Sequence, residues 1–174
     1  MSFFRKLAEY ADFAEAALSN DTENKLYRAI LDEDTNRVIE LLSKDIDWSR
    51  ATLKAGRLIL RLTFSKEKMF KALLDKGIPV NAKDNQNYTA LFYAIYDNNY
   101  YAVDLLLKYG AKVSMRFGEN QRNAITEAVI LDRDPKIIKR LMESGANPNA
   151  ADLQNNTAVS VATSQNKKLL PYLI

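Results

Sequence analysis

Apolar pairs punctuate the chain at nearly regular intervals: Leu41-Leu42, Leu73-Leu74, Leu106-Leu107 and Leu141-Met142. Shortly after each of the last three pairs comes a glycine, Gly77, Gly110 and Gly145. The words around these glycines echo one another: Lys76-Gly77-Ile78-Pro79-Val80-Asn81, Tyr109-Gly110-Ala111-Lys112-Val113-Ser114 and Ser144-Gly145-Ala146-Asn147-Pro148-Asn149. A glycine just past an apolar helix supplies the positive φ that a helix C-terminus needs. A near-constant period, Gly77 to Gly110 and then a slightly longer step to Gly145, predicts stacked helix–turn–helix units, an all-α solenoid. Five helix pairs are predicted, roughly at 24–44, 57–76, 89–109, 123–144 and 157–174, preceded by a helix near 3–18.

Local chemistry agrees with this division. Thr89 and Thr157 each open an apolar, helix-spaced run and are good N-caps. Ala94, Ala128 and Ala162 are small where the two helices of one repeat must approach closely. The first pair has Ala29, Val38 and Leu41-Leu42, with Asp45 in place of glycine. In the second, Arg61 stands where the others carry alanine, which predicts a slipped register or a splayed pair. The fourth repeat has two extra residues, expected in the hairpin at 115–122 and in the turn Asp132-Arg133-Asp134-Pro135, with Pro135 in the first turn of the following helix. At the front, Phe3, Leu7, Ala11, Ala14 and Leu18 form a stripe at helical spacing, read as a cap on the first repeat. At the back, Leu169-Leu170-Pro171-Tyr172-Leu173-Ile174 either buries itself against the fourth repeat or belongs to a longer chain.

Composition narrows the function classes. The 174 residues suit one domain of 1–174, and 47% apolar with 27% charged content is that of a folded globular protein. The net charge of +3 does not call for a nucleic-acid partner. Residues 1–50 carry 7 basic and 11 acidic side chains, a balance of −4, and residues 51–80 carry 7 and 2, a balance of +5. The second repeat therefore offers a basic patch of Lys54, Arg57, Arg61, Lys66, Lys68 and Lys71, either a solvated helix face or a site for an acidic ligand.

With no cysteine and no histidine, the chain has no disulfide, thiolate nucleophile, Cys/His zinc site or His-based acid–base catalysis. The carboxylates are expected at hairpin tips and exposed helix positions, and Asp32, Glu33 and Asp34 read as solvated turn residues rather than a metal site. Gly56 and Gly118 make no phosphate-cradling loop. No catalytic residue, metal or cofactor is expected. The start of the chain lacks a signal-length apolar run and no segment approaches membrane-spanning length, which makes cytoplasmic the default location.

The run Asp84-Asn85-Gln86-Asn87-Tyr88-Thr89-Ala90-Leu91-Phe92-Tyr93-Ala94 resembles the ankyrin repeat. Asp84, Thr89, Leu91 and Ala94 match its pattern, followed by Val103, Leu106-Leu107 and Gly110-Ala111. Asn87 takes the glycine place, where a left-handed backbone is tolerated, Ala90 replaces proline and Phe92 replaces histidine. Asp152, Asn155, Thr157, Val159 and Ala162 repeat the skeleton. The resemblance implies five repeats, roughly 21–50, 51–83, 84–116, 117–151 and 152–174, with short β-hairpin-like tips and residues 1–20 as an N-terminal helical cap.

It also implies a non-enzymatic module that binds another protein through a concave face of hairpin tips and first helices. By position, that face holds Asn85, Gln86, Tyr88, Tyr96 and Asp97 in the third repeat. In the fourth it holds Arg116, Phe117, Glu119, Asn120, Arg122, Ile130 and Leu131, and in the last Leu153, Gln154, Asn156, Ser164 and Gln165. Six of the nine tyrosines lie between residues 88 and 109, and tyrosine is favoured at binding hot spots. Phe92 is expected in the core, and Met115-Arg116-Phe117 is an apolar tip that calls for a partner or extra packing. A small all-repeat chain acts by occupying its partner, as the small bacterial ankyrin immunity proteins do with a toxin. An adaptor, a host-interacting effector, and a binder of an acidic or nucleic-acid ligand through the second repeat remain the alternatives. The chain is expected to be monomeric on its own and not to engage membranes.

Overall fold

The computed structural model describes residues 21–43, 60–83 and 86–174. The chain divides into two compact units, Met1–Ala82 and Lys83–Ile174. Among the described residues the regular structure is helical, with one isolated antiparallel bridge between Phe117 and Arg122. The expected helix near 3–18 lies outside the described residues.

In the first unit, helix α1 (Asp21–Leu31) and helix α2 (Thr35–Leu42) form the first hairpin. It begins slightly ahead of the expected start at 24. Asp34 caps α2 by accepting the Arg37 N–H at 2.9 Å, and Glu33 turns the chain with φ 59°. Leu26, Ala29 and Ile30 of α1 meet Val38, Leu41 and Leu42 of α2 in the core. In the second repeat, residues 60–63 are helical and helix α3 (Glu67–Asp75) follows, packing against α2.

The divergence expected at Arg61 is explained by a shift of the buried face. Leu60, Thr63 and Phe64 are buried with the mutual spacing of Leu91, Ala94 and Ile95, but later in their repeat than the step from Gly77 to Gly110 would place them. Thr63 rather than Arg61 thus takes the close-packing position, and its hydroxyl donates to the Leu60 carbonyl at 3.0 Å. Arg61 is half-buried, off that face.

The second unit repeats the hairpin. Helices α4 (Ala90–Tyr96) and α5 (Tyr100–Lys108) form the third pair, and α6 (Ala124–Ile130) and α7 (Pro135–Glu143) the fourth. Helix α8 (Ala158–Gln165) is followed by a short 3-10 helix, Lys167–Tyr172. That last element corrects the expectation of an α-helix running to 174: Pro171 lies within it, and proline cannot continue an α-helical hydrogen-bond ladder. Leu169 and Leu173 are buried, and the 3-10 helix packs on α7 and α8.

Each first helix of the second unit opens on a side-chain cap. The Phe92 N–H donates to the Thr89 hydroxyl, the Thr126 N–H to Asn123 Oδ1, and Thr157 and Ser160 form a reciprocal capping box. The step from cap Thr89 to cap Asn123 is one position longer than that from Gly77 to Gly110, and the step from cap Asn99 to cap Asp134 is two longer. One extra residue therefore precedes α6 and the other lies in the turn before α7, with Pro135 at the helix start. Gly77, Gly110 and Gly145 have φ of 78°, 85° and 83°. Ala94, Ala128 and Ala162 are wholly buried.

Successive first helices pack side by side, α4 on α6 and α6 on α8, as do the second helices α5 and α7. Between them lie Leu91, Ile95, Val103, Leu106, Ile125, Val129, Ile137, Ile138 and Leu141. In the last repeat, Thr163 is exposed at the place where Ile95 and Val129 are buried. Because Leu106 is fully buried, Leu106→Ala should cost about 2–5 kcal/mol in urea denaturation; a loss below about 1 kcal/mol would contradict this packing.

Candidate functional site

The hairpin tips and first helices of the second unit carry most of the residues assigned to binding. A near-parallel stack runs along α4: Tyr88 lies on Phe92 with ring centroids 4.0 Å apart, and Phe92 lies 6.0 Å from Tyr96. Phe92 and Tyr96 stand in the i, i+4 register of one helix face, and Tyr88 extends the stack from before the cap Thr89. Phe92 is buried, as expected, and meets Phe117 edge-on at 5.6 Å. Tyr96 ends the stack and is 51% exposed. Asp97 and Gln86 are exposed, and Asn85 lies outside the described residues.

Phe117 is buried, which corrects its placement on an open face, and Tyr88 is half-buried. Phe117 is buried against Phe92 and pairs its backbone with Arg122. The Tyr88 hydroxyl lies where a Cβ on Gly118 would meet it at 2.8 Å, and Gly118 has φ 61°, so no larger residue fits there without displacement. The apolar tip at Met115–Phe117 thus receives the extra packing that its composition demanded.

The fourth and fifth tips are joined by polar contacts instead. Arg116 donates to the carbonyls of Gln121 and Ala151 at 2.9 and 2.5 Å, and its own carbonyl accepts from Lys83 at 3.0 Å. Arg122 lies between two carboxylates, Asp152 at 3.4 Å and Glu127 at 3.5 Å. Asn120 offers its carbonyl to the Leu153 N–H at 3.0 Å. Asn156 donates to Asp152 through its backbone at 2.9 Å and its side chain at 3.3 Å. Arg116, Arg122 and the backbone carbonyl of Asn120 therefore join the fourth tip to the fifth, and Asn156 braces the fifth tip internally through Asp152.

Asp152 and Glu127 depart from the expectation that carboxylates lie in solvent. The Asp152 side chain is 1% exposed. Burial pushes its carboxyl up, but hydrogen bonds from Asn156, Gln154 and Arg122 outweigh that and hold it below the usual aspartate range. Burial raises the Glu127 carboxyl, with Arg122 and Arg133 opposing. The sequence carried Asp152 only as a repeat landmark; its pairing with Arg122, far back along the chain, had no local signal.

Side chains that do face outward are Tyr96, Glu119, Leu153, Gln154, Ser164 and Gln165, with Ile130 and Leu131 half-buried. Tyr96 and Ile130 occupy matched positions, one repeat apart, at the ends of the adjacent helices α4 and α6. The basic patch of the second repeat is dispersed. Lys66 pairs with Glu33 at 2.6 Å and Lys71 with Asp75 at 2.6 Å. Arg61 is half-buried, Lys68 is exposed, and Lys54 and Arg57 lie outside the described residues. Among the described residues no three metal-binding side chains come together, and no helix is long and apolar enough to cross a membrane.

Stacked helical hairpins with capped tips define a helical repeat protein. The ankyrin repeat family, as three consecutive copies, matches residues 26–117, just over half of the 174-residue chain, and the chain belongs to that family. It is 35% identical over 80 residues to an ankyrin repeat protein of fowlpox virus (strain NVSL), covering 41% of this chain and 19% of the viral protein. It is 26% identical over 157 residues to the E3 ubiquitin-protein ligase KEG of Arabidopsis thaliana, covering 83% of this chain and 10% of the ligase. The chain thus spans about a fifth of one relative and a tenth of the other. Ankyrin repeats generally mediate protein–protein interaction and are typically non-enzymatic.

The Asp152 cluster makes a pH-dependent prediction. A carboxyl with a depressed folded-state pKa stabilises the fold at neutral pH, and that contribution disappears as pH falls through its folded value. Asp152→Asn should cost about 2 kcal/mol near pH 7, the scale of hydrogen bonds to a charged group. The gap to wild type in urea denaturation should close in strong acid; a gap independent of pH would refute the role.

Proposed function

We propose that this chain is a non-enzymatic binding module, residues 1–174 acting as one repeat domain, that engages a partner protein through the hairpin tips and first helices of repeats three to five. The observation that carries this reading is the set of apolar side chains left uncovered there: Tyr96, Leu153 and the half-buried Ile130 and Leu131. The tips behind them are stapled by stacked aromatics and by the Arg122–Asp152 pair, so this surface is ordered before a partner arrives and association orders little more of it.

By covering a surface of its partner, such a module neutralises it, as an immunity protein covers a toxin. A cytoplasmic location and a monomeric free state complete the proposal. Similarity to a tenth of a ubiquitin ligase supports repeat-mediated binding and brings no ubiquitin-transfer chemistry with it. The binder of acidic ligands is disfavoured because Lys66 and Lys71 are engaged in ion pairs.

The test is capture on the immobilised full chain from cells that express it, followed by affinity measurement with the recovered protein. Tyr96→Ala should weaken binding at least tenfold, the scale of an interfacial tyrosine. Raising salt from about 50 to about 200 mM should change affinity less than threefold. Collapse of affinity with salt, together with indifference to Tyr96→Ala, would replace this reading with the acidic-ligand one. Stoichiometric loss of the partner's own activity on binding would support neutralisation, and unchanged activity would exclude it.

A further inference from the structure

We infer that Arg122 and Glu127 form a proton-operated latch on the junction of the fourth and fifth tips: while Glu127 is ionised, the guanidinium is divided between two carboxylates, and when Glu127 takes up a proton it closes on Asp152 alone. The latch belongs to the fold and stands whether or not the outward face binds a protein.

The position is an uncommon one for a charge. Counted from the caps Thr89, Asn123 and Thr157, Arg122 and Glu127 fall where the third repeat has Tyr88 and Tyr93 and the fifth has Asn156 and Val161. Tyr88 meets Tyr93 edge-on at 6.1 Å, and Val161 is buried. Glu127 stands in that row with its side chain 12% exposed, enough of an edge to take a proton from solvent.

The two carboxylates beside Arg122 are provided for unequally. Asp152 accepts from the Gln154 and Asn156 N–H groups at 2.8 and 2.9 Å. It also accepts from Asn156 Nδ2 and Arg122 Nε at 3.3 and 3.4 Å. Glu127 has only Arg122 Nη1 within ion-pair distance among the described residues, at 3.5 Å. A buried carboxylate surrounded by donors keeps its charge, and one with a single distant donor is the first to be neutralised.

The surroundings of α6 leave this imbalance standing. Helix α6 packs against α4, α7 and α8. Helix α8 carries no ionisable side chain, and α4 carries only Tyr93 and Tyr96. On α7, Arg140 is paired with Asp104, and Lys136, Lys139 and Glu143 are exposed. Arg122 and Arg133 are the charges that act on Glu127, and Arg133 Nε is buried without a hydrogen-bond partner among the described residues.

The chain has no histidine, the side chain whose ordinary pKa places a charge change between about pH 5 and about pH 8. A response to mild acid therefore falls to a carboxyl held above its usual range, and burial holds Glu127 there against the pull of Arg122 and Arg133. The folded chain then binds this proton more tightly than the unfolded chain does. Its stabilising effect is complete below the ordinary glutamate range and is lost as pH rises through the folded value. Asp152 acts in the opposite sense, losing its contribution only as pH falls below the usual aspartate range.

The test is an acid titration of the full chain, followed by NMR at the Glu127 carboxyl carbon and the Arg122 Nε–H. Glu127 should take up its proton above the ordinary glutamate value of about 4.3. The Arg122 Nε–H should shift with the same midpoint, while that of Arg140, held on Asp104 at 2.7 Å, stays still. Asp152→Asn should lower the Glu127 midpoint, because Arg122 then serves one carboxylate and a like charge is gone. In urea denaturation the wild-type midpoint should rise as pH falls from about 7 to about 5, and Glu127→Gln should start higher and lose most of that rise. A Glu127 midpoint at or below the ordinary value, or an Arg122 signal indifferent to it, overturns the latch. So does a Glu127→Gln chain with the wild-type response to pH. If Asp152→Asn fails to fold, the wild-type titration and Glu127→Gln decide by themselves.

Discussion

Everything in each unit depends on apolar contact between neighbouring hairpins. A hairpin of two short helices, such as α4 with α5, has too little interior of its own, so its leucines and isoleucines must be covered by the next hairpin along. Leu91 and Ile95 find that cover on α6, and Ile125 and Val129 find it on α8. The alanines between the two helices of a pair, Ala94, Ala128 and Ala162, let the paired helices come close enough for those rows to align. Once that packing exists, caps and turns select among the few ways of connecting it.

The same packing leaves the tips to be fixed by other means, and two kinds of staple are used. Between the third and fourth repeats the staple is aromatic: Tyr88, Phe92 and Phe117, with Gly118 small beneath the Tyr88 hydroxyl. Between the fourth and fifth it is ionic and hydrogen-bonded: Arg122 with Asp152, and Arg116 with the Ala151 carbonyl. Stacked rings are indifferent to pH, whereas a buried carboxylate is not, so the two tip junctions differ in their response to acid. Glu127 pulls the other way, because a carboxyl raised by burial loses stability for the fold as pH rises through its folded value. The second helices add their own cross-links, with Arg140 on Asp104 at 2.7 Å. Burial raises the Asp104 carboxyl, but Lys108 and Arg140 outweigh it and hold it below the usual range.

Those staples leave fewer outward-facing side chains at the tips than a positional transfer of a repeat pattern suggests. Arg116, Phe117, Asn120, Arg122 and Asn156 occupy positions that are variable and outward in the general repeat, but here their side chains or backbone groups are engaged within the protein. What remains outward there is a sparse set of apolar side chains, Tyr96, Leu153 and the half-buried Ile130 and Leu131.

The repeat period, the helix pairs of the third and fourth repeats, Thr89 and Thr157 as caps, the glycines at helix ends and the two inserted residues of the fourth repeat could all be read from the chain alone. Each is a local effect: a hydroxyl reaches a backbone N–H one turn further on, and a glycine adopts a positive φ whatever stands beside it. Phe117 buried rather than exposed, Arg122 shared between Asp152 and Glu127, and Thr63 replacing Arg61 at the close contact were decided only by the tertiary structure. In these cases the contacting side chain lies a repeat away or the buried face falls later along its helix, and no pattern within a window of neighbouring residues records which side chain a distant one will meet.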